Sequence, residues 1–291
     1  MIDKSHMKIM PVLFAGLIFW FAGDVAAQQK EEGGDLATKA TNPVGSLIQL
    51  QLQDQITPSS ENASGAANTF TVQAVIPFSL GADGYFQSVI VRPTLPVAVT
   101  TANPDGRNQG TTGLGDTVIL AAPTHTTPGK VKGEFFTWGP IGTITFPTAT
   151  QDETGSGKFT AGPGAIVLKN HVKVFKDDDS LLVGGFGYQQ WSFAGEGSRQ
   201  SVSQFFAVPI LVYKFSMFEK KGWYAGLPDD FWIYDFKKDD FTQIPLGVRF
   251  GRVFPIGKQP VNLFLQSWYN AADENSSEYT IKLNFTFLFP K

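Results

Sequence analysis

The stretch YTIKLNFTFLF, residues Tyr279–Phe289, stands almost at the end of the chain and decides its fold. Its odd-numbered residues are all apolar or aromatic, whereas its even-numbered residues are mostly polar. A period of two places these sets on opposite faces of a β-strand. A soluble sandwich or jelly roll would turn the apolar face toward a core. An outer-membrane barrel would turn it toward lipid and line its lumen with the polar face.

The N-terminus favours the barrel because it has the features of an export signal. Lys4 and Lys8 are basic, the run Ile9–Gly23 is mostly apolar, and small residues lead up to Ala27. These are the three regions of a signal peptide, and we predict cleavage after Ala27. A transmembrane anchor is the alternative, but the apolar run is shorter than the roughly 20 residues that a helical span needs.

Composition narrows the architecture further. The chain has no cysteine, so an exported protein of this sequence is stabilised without disulfides. No later segment has the length of apolar sequence that a transmembrane helix requires. A closed barrel satisfies every backbone hydrogen bond inside a bilayer, and it is the remaining membrane architecture. The net charge of −3 leaves no basic stripe, so we expect no nucleic-acid partner.

Alternating segments recur along the chain and predict three parts. Residues 1–27 form the signal peptide, 28–44 a loose periplasmic N-terminal segment, and 45–291 an all-β, antiparallel transmembrane barrel of about twelve strands. Short connectors such as Gly81–Gly84 alternate with longer polar ones such as Ala149–Lys158, as periplasmic turns alternate with extracellular loops. The connector Asn170–Ser180 is long where a short turn is due.

Several prolines fall inside the predicted strands. Proline removes a hydrogen bond from the strand ladder, and a closed barrel has no edge to accommodate it. We therefore expect kinks or bulges at these positions. The residues are Pro77, Pro93, Pro140, Pro163, Pro209 and Pro245.

The same alternation predicts which polar side chains line the lumen, and most of them are neutral amides. The predicted set is Gln49, Gln51, Gln53, Gln87, Arg92, Gln204, Gln243, Arg249, Asn262, Gln266, Lys282 and Asn284. Such a lumen is either a wet, weakly selective pathway or an interior plugged by the N-terminal segment. Trp191, Phe193, Trp268 and Tyr269 fall near the extracellular strand ends. They form either an interfacial girdle or a mouth on which an aromatic solute stacks.

The sequence offers little for catalysis. His125 and His171 fall in predicted periplasmic connectors, and neither has a visible serine partner of the kind that a hydrolase needs. The run Asp177–Asp179 lacks the glycine and the spaced glutamate of a calcium loop, which favours a solvated turn. We therefore predict a protein that is not an enzyme and that needs no metal or cofactor.

Several short motifs stand in a fixed order between Asn42 and Lys291. They are VIPFSL at 75–80, GLGD at 113–116, TFPTAT at 145–150, GSGK at 155–158, IPLG at 244–247 and GKQPVN at 257–262. In this order and spacing the chain resembles the meta-pathway phenol-degradation family of outer-membrane transporters. The resemblance implies a barrel channel for small hydrophobic, often aromatic, compounds, with no catalytic signature. One departure is that Pro290 and Lys291 follow the terminal aromatic Phe289, which we take as the end of the assembly signal.

The function that we predict is passive uptake of small hydrophobic, aromatic solutes through the bacterial outer membrane. The expected partners are outer-membrane lipid, the solute, and the barrel-assembly machinery, which would bind the C-terminal strand. Two alternatives stay open at this point. One is a structural or general-porin-like barrel without a specific substrate. The other is an outer-membrane lipid-modifying enzyme, which the missing His–Ser pair disfavours.

Overall fold

A computed structural model describes residues 33–58, 65–81, 83–101, 110–272 and 279–290 of the chain. The predicted signal peptide and residues 28–32 lie outside this described part, as do the side chains of residues 33–35. Almost all of the described chain is β-structure, with one α-helix, α1, at Gly33–Thr41 and a short 3₁₀ turn at Asp152–Thr154. In the described part, no helix is long and apolar enough to cross a membrane.

The strands follow one another in antiparallel order. They are β1 Ile48–Thr57, β2 Ala67–Ser79, β3 Ser88–Thr100, β4 Thr112–Gly113, β5 Thr117–Pro128, β6 Phe135–Phe146, β7 Lys158–Val172, β8 Ser180–Gly195, β9 Ser203–Met217, β10 Lys220–Gly226, β11 Trp232–Asp235, β12 Asp240–Gln243, β13 Pro245–Ile256, β14 Gln259–Asn270 and β15 Thr280–Phe289.

Twelve of these strands close into a barrel, which confirms the predicted fold class and strand number. The first and last strands complete the ring, with Ile48 of β1 opposite Phe289 of β15. Among the strands that the structure describes, the short β4 pairs only with β3. The hairpin β11–β12 extends from β9 beyond the ring. The sequence of 229–240 predicts a longer polar connector, followed by a strand that starts at Phe241, and this prediction is wrong because β11 lies within that stretch.

The two ends of the barrel differ in their connectors. We call the end where β1 begins and β15 finishes the terminal end, and the opposite end the loop end. Connectors at the terminal end include the two-residue turns 218–219 and 257–258. Phe218 and Glu219 both have positive φ, 53° and 58°, as the twist of a two-residue hairpin requires. Connectors at the loop end, such as 147–157 and 227–244, are longer.

The connector that spoiled the predicted alternation has its own internal support. Strands β7 and β8 extend further than predicted and leave the seven residues 173–179 between them. The Asp179 carboxylate accepts hydrogen bonds from the backbone N–H groups of Val174, Phe175 and Lys176, at 2.6, 3.0 and 3.0 Å, and from the Tyr213 hydroxyl. Although desolvation raises the pKa of Asp179, the Tyr213 hydroxyl and these three N–H groups outweigh it and hold that pKa below its usual range.

The prolines do not produce the expected bulges. Register shifts occur near Thr71, Thr160, Trp223 and Tyr234, and none of the six in-strand prolines lies at one of them. Pro163, for example, pairs with Gly142 on one side, while the ladder on its other side is interrupted and then resumes in the same register. Each proline therefore sits where one side of its strand can dispense with a ladder hydrogen bond.

The faces of the barrel wall follow the alternation of the sequence. On the outside, Leu283 and Phe250 are 49% and 43% exposed, whereas the inward-facing Asn284 and Thr286 are buried. An apolar exterior around a partly polar interior is the reverse of a soluble sandwich. The closed barrel is thus compatible with an outer-membrane protein.

Residues 33–44 are not the loose segment that the sequence predicted. Helix α1 lies inside the barrel, where Leu36, Ala37 and Ala40 are buried in the same apolar cluster as inward side chains of the wall. The chain reaches β1 through Leu47, which is also buried there. The polar composition of this segment concealed the small apolar face that packs inside.

Candidate binding cavity in the bore

The bore is occupied at the terminal end by helix α1. Its buried side chains Leu36 and Ala37 belong to one cluster with Leu168, Leu182 and Val212 of the barrel wall. The carbonyl oxygen of Ala40 also accepts a hydrogen bond from Nε2 of Gln49 at 3.4 Å, which joins the helix to the first strand.

At the loop end, residues 229–231 fold back into the bore, and we call them the inward loop. Lys282 Nζ lies 2.6 Å from Asp229 Oδ1 and 3.0 Å from Asp230 Oδ2. Arg249 Nη1 lies 3.2 Å from Asp229 Oδ2. Trp268 Nε1 donates to Asp230 Oδ2 at 3.0 Å. The inward loop is therefore held by two carboxylates that meet two cations and an indole N–H from three strands.

Gln266, an inward-facing residue of strand β14, completes this network. Its Nε2 donates to the Asp230 carboxylate, and its Oε1 accepts the backbone N–H of Asp229 at 3.2 Å. The side chain is 1% exposed, so both of its polar ends are satisfied without water from bulk solvent. Within the same network, the Nε of Arg249 is enclosed without a hydrogen-bond partner.

Phe231 ends the inward loop against a group of aromatic rings. Its ring centroid lies 5.9 Å from Phe186, 5.6 Å from Tyr188 and 5.6 Å from Phe206, in each case edge to face. Aromatic pairs prefer this geometry and gain about 0.5–1.5 kcal/mol beyond their area burial. The inward loop therefore presents an apolar ring to the bore beside its charged pair.

Between helix α1 and the inward loop lies a cavity of about 240 Å³. One wall is a ladder of amides on β1 and β2. Gln51 Nε2 donates to Gln49 at 3.1 Å, Gln53 Nε2 to Gln51 at 2.8 Å, and Gln73 Nε2 to Gln51 at 3.0 Å. Alternate residues of β1 share a face, and Gln73 is the register partner of Gln51, so the sequence pattern builds this ladder directly.

The wall across from the amides is apolar and aromatic. It is formed by Phe186, Val208, Ile210, Tyr224 and Phe264, with Phe231 above them. Tyr224 keeps its hydroxyl bonded to Asn262 Oδ1 at 2.7 Å and turns its ring to the space. A small molecule in this cavity would contact hydrogen-bonding groups on one side and rings on the other, which is the usual composition of a ligand site.

The structure places nine of the twelve predicted lumen residues inside the barrel. Gln49, Gln51, Gln53, Arg92, Arg249, Asn262 and Lys282 line the cavity. Gln266 lies beside it in the network of the inward loop, and Asn284 is buried and donates to Thr286 Oγ1 at 2.7 Å. Each of these residues lies in a strand of the ring, where side chains alternate between the two faces of the wall.

Three predicted lumen residues lie elsewhere. Gln87 is at the rim of the terminal end, where its Oε1 accepts the N–H of Thr126 at 2.8 Å. Gln204 donates to Asp235 at 3.0 Å where β9 pairs with the β11–β12 hairpin. Gln243 ends that hairpin and donates to the carbonyl oxygen of Phe231 at 2.8 Å. All three lie at strand ends, where the alternation no longer reports which face meets the bore.

The predicted mouth aromatics divide between the two faces. Trp191, Phe193 and Tyr269 are at least half exposed toward the loop end. Trp268 is 4% exposed and points inward to Asp230, so its placement at the mouth is corrected. Trp268 and Tyr269 are adjacent in one strand, and neighbours in a strand face opposite sides. They could not have belonged to one girdle.

Sequence reasoning missed the inward loop altogether. Asp229 and Asp230 were counted as part of an extracellular loop, and Phe231 was not considered. A signal was nevertheless present, because Arg249 and Lys282 were predicted to face a bore that offered no carboxylate from any strand. Buried cations require counter-charges, and the connector 227–244, which precedes the strand of Arg249, contains several acids.

Both histidines were predicted to lie in connectors, and this prediction is wrong. His125 is on β5 and His171 on β7. Nδ1 of His125 lies 3.2 Å from Nε2 of Gln87, and its ring stacks on Tyr85 with centroids 5.4 Å apart. In the part of the chain that the structure describes, no three His, Cys, Asp or Glu side chains are grouped to hold a metal ion.

No family model and no curated protein matches this chain. The resemblance to the phenol-degradation transporters therefore stays a prediction.

Proposed function

We propose that this chain is an outer-membrane channel for the passive uptake of small hydrophobic molecules, aromatic ones above all. The observation that carries the proposal is the cavity within the bore, with amides on one wall and rings on the other. Its volume of about 240 Å³ suits a molecule of one ring. An apolar cavity of about 150 Å³ in another protein binds benzene.

A general porin is a poorer fit to the same bore. Twelve strands lie between the side-chain-filled barrels of about eight strands and the open channels of about sixteen. Here both ends of the bore are occupied by the chain itself, by helix α1 and by the inward loop. Ion-selective pores use rings of like charge, whereas Asp229 and Asp230 of this bore are paired with Lys282 and Arg249.

Uptake experiments in cells test the proposal. Cells with the protein should take up phenol or benzoate faster, at limiting concentration, than cells without it, while entry of a disaccharide should be unchanged. Faster disaccharide entry with no effect on the aromatic solutes would favour a general porin. No effect on any solute would favour a structural barrel without a pathway.

A matched pair of variants shows whether the solute uses the cavity. Ile210→Trp replaces a branched alkyl side chain of the cavity lining with the larger indole ring. Leu211→Trp changes the adjacent residue, which is 42% exposed on the outer face. We expect the first variant to slow aromatic uptake and the second to leave it unchanged. Both should retain the heat-dependent gel shift of a folded barrel. Equal uptake by the two folded variants would mean that the cavity is not the route.

A further inference from the structure

Arg92 differs from Arg249 and Lys282, the other cations that line the cavity, because it has no acidic partner. It lies on β3 between the inward-facing Ile90 and Thr94, and its side chain borders the cavity. Within the described residues, no carboxylate lies at ion-pair distance from it. Its Nε is enclosed without a hydrogen-bond partner, as are those of Arg249 and Arg252. Its guanidinium carbon stands 5.1 Å from the centroid of Phe186.

The surroundings of Arg92 make this isolation costly. Its register partners are Leu120 on β5 and, by continuation of the ladder, Val75 on β2, both apolar. Asp229 acts on Arg92 only at longer range, because Lys282 and Arg249 hold that carboxylate. A charge enclosed by protein is normally paired, and an unpaired one is destabilising. The guanidinium of Arg92 thus contacts the ring of Phe186 and borders the cavity, but it has no anion beside it.

We propose that Arg92 is the anion-binding group of the cavity and that the preferred solute is a single-ring aromatic monocarboxylate. This inference rests on the proposed function and narrows its substrate class. A guanidinium presents a planar fork of N–H donors that matches the two oxygens of a carboxylate. A ring attached to that carboxylate would extend from Arg92 toward Phe186, Ile210 and Phe231. The amide of Gln73 and the hydroxyl of Thr94 stand on the polar side of the same space.

The charged side chains that line the cavity agree with one bound monoanion. The two carboxylates, Asp229 and Asp230, face two cations, Lys282 and Arg249, so the fifth charge, on Arg92, leaves an excess of one positive charge. Lys214 is also buried inside the barrel, but it does not line the cavity, and its Nζ donates to Asn170 Oδ1 at 2.7 Å. A monocarboxylate would neutralise this excess. A neutral phenol would not, although its ring would occupy the same apolar wall.

The test compares benzoate with benzyl alcohol, which has the same ring and no charge, and with acetate, which has the carboxylate and no ring. Binding is measured by titration calorimetry on the purified full-length barrel in detergent, with empty micelles as the reference. The pH is 7.5, far above the pKa of a carboxylic acid, about 4. The wild type should bind benzoate more tightly than either of the other two solutes.

Substitution of Arg92 should then separate the solutes. Arg92→Gln should weaken benzoate binding at least about tenfold, because a charge-assisted bidentate contact is lost, and should leave benzyl alcohol within about twofold, because the apolar wall is intact. Arg92→Lys keeps the charge but lacks the planar fork of N–H donors, so its affinity for benzoate should lie between those of the wild type and Arg92→Gln. Arg252→Gln is the matched control, since Arg252 stacks on Trp223 and Phe254 of the outer face. It should bind benzoate as the wild type does.

Arg92→Gln should fold, because Arg92 has no oppositely charged partner that its removal would leave buried and unpaired. The heat-dependent gel shift will show whether it does. Equal benzoate binding by folded wild type and Arg92→Gln would overturn the inference, as would acetate binding as tight as benzoate. In either case, binding of benzyl alcohol would leave the proposed function standing. Failure of all three solutes to bind would refute both proposals together.

Discussion

The two ends of the bore are closed by different physical means. At the terminal end, helix α1 packs through Leu36, Ala37 and Ala40 against an apolar wall. At the loop end, Asp229 and Asp230 are held by cations and by donors of the strands. Apolar contact is non-directional and is shared over many atoms, whereas a buried charge network fails when one member is removed. The loop end should therefore be the more sensitive to single substitutions.

The largest effect should come from Lys282→Gln. The removal of one partner of a buried ion pair costs about 3–5 kcal/mol when the other charge stays buried. The inward loop can reduce this cost by moving out of the bore, so that its carboxylates are hydrated. We therefore expect a lower unfolding free energy in denaturant titrations and a several-fold increase in single-channel conductance.

The double variant Lys282→Gln/Asp230→Asn provides the control, because it removes a charge of each sign. It should recover much of the lost stability and return the conductance toward that of the wild type. If conductance is unchanged in the single variant while the barrel folds, the inward loop is not the closure that the charge network implies.

A smaller effect is expected from Leu36→Ala at the terminal end. Truncation of a buried leucine costs about 2–5 kcal/mol, and the lower end of this range applies where part of the helix borders a cavity. Denaturant unfolding should report the loss, and conductance should rise less than in Lys282→Gln because the rest of the helix still packs. A larger rise than in Lys282→Gln would reverse the proposed order of the two closures.

Acid should weaken the terminal end through the turn at 173–179. The pKa of Asp179 is lower in the folded protein than its unfolded value of about 3.9, so its contribution to stability is present at neutral pH and is lost as pH falls through the folded pKa. Thermal unfolding of the wild type and of Asp179→Asn should differ most near pH 7 and converge in strong acid. Asp177→Asn, at an exposed position, is the control, and its thermal unfolding near pH 7 should stay close to that of the wild type.

The smallest effect should come from Lys173→Ala. Lys173 and Asp177 form an ion pair at 3.4 Å, but their side chains are 58% and 95% exposed. Exposed pairs contribute about 0–1 kcal/mol. Alanine also keeps a Cβ at this position of positive φ, as lysine does. The unfolding free energy of this variant should match that of the wild type within that range. A loss as large as that in Lys282→Gln would show that burial does not determine how much these ion pairs stabilise the protein.

Much of the wall could be predicted from sequence, and the contents of the bore could not. The alternation in β1 and β15 identified Gln51 and Lys282 as inward and Leu283 as outward, because side-chain direction in a strand depends only on local geometry. At strand ends the rule failed for Gln87 and Gln204, where hydrogen bonds to turns and to an added hairpin decide the placement. The pairing of the adjacent Trp268 and Tyr269 as one girdle contradicted the alternation itself.

The sequence by itself determined a closed barrel of twelve strands, because period-two alternation and connector length are local properties that repeat along the chain. Only the tertiary structure decided what fills that barrel. Helix α1 finds its apolar partners on β9, β10 and β13, and Asp229 finds Lys282 on the last strand. These contacts join residues far apart in the chain, and no local pattern specifies them. The isolation of Arg92 likewise emerges only when the other four charges that line the cavity have met their partners.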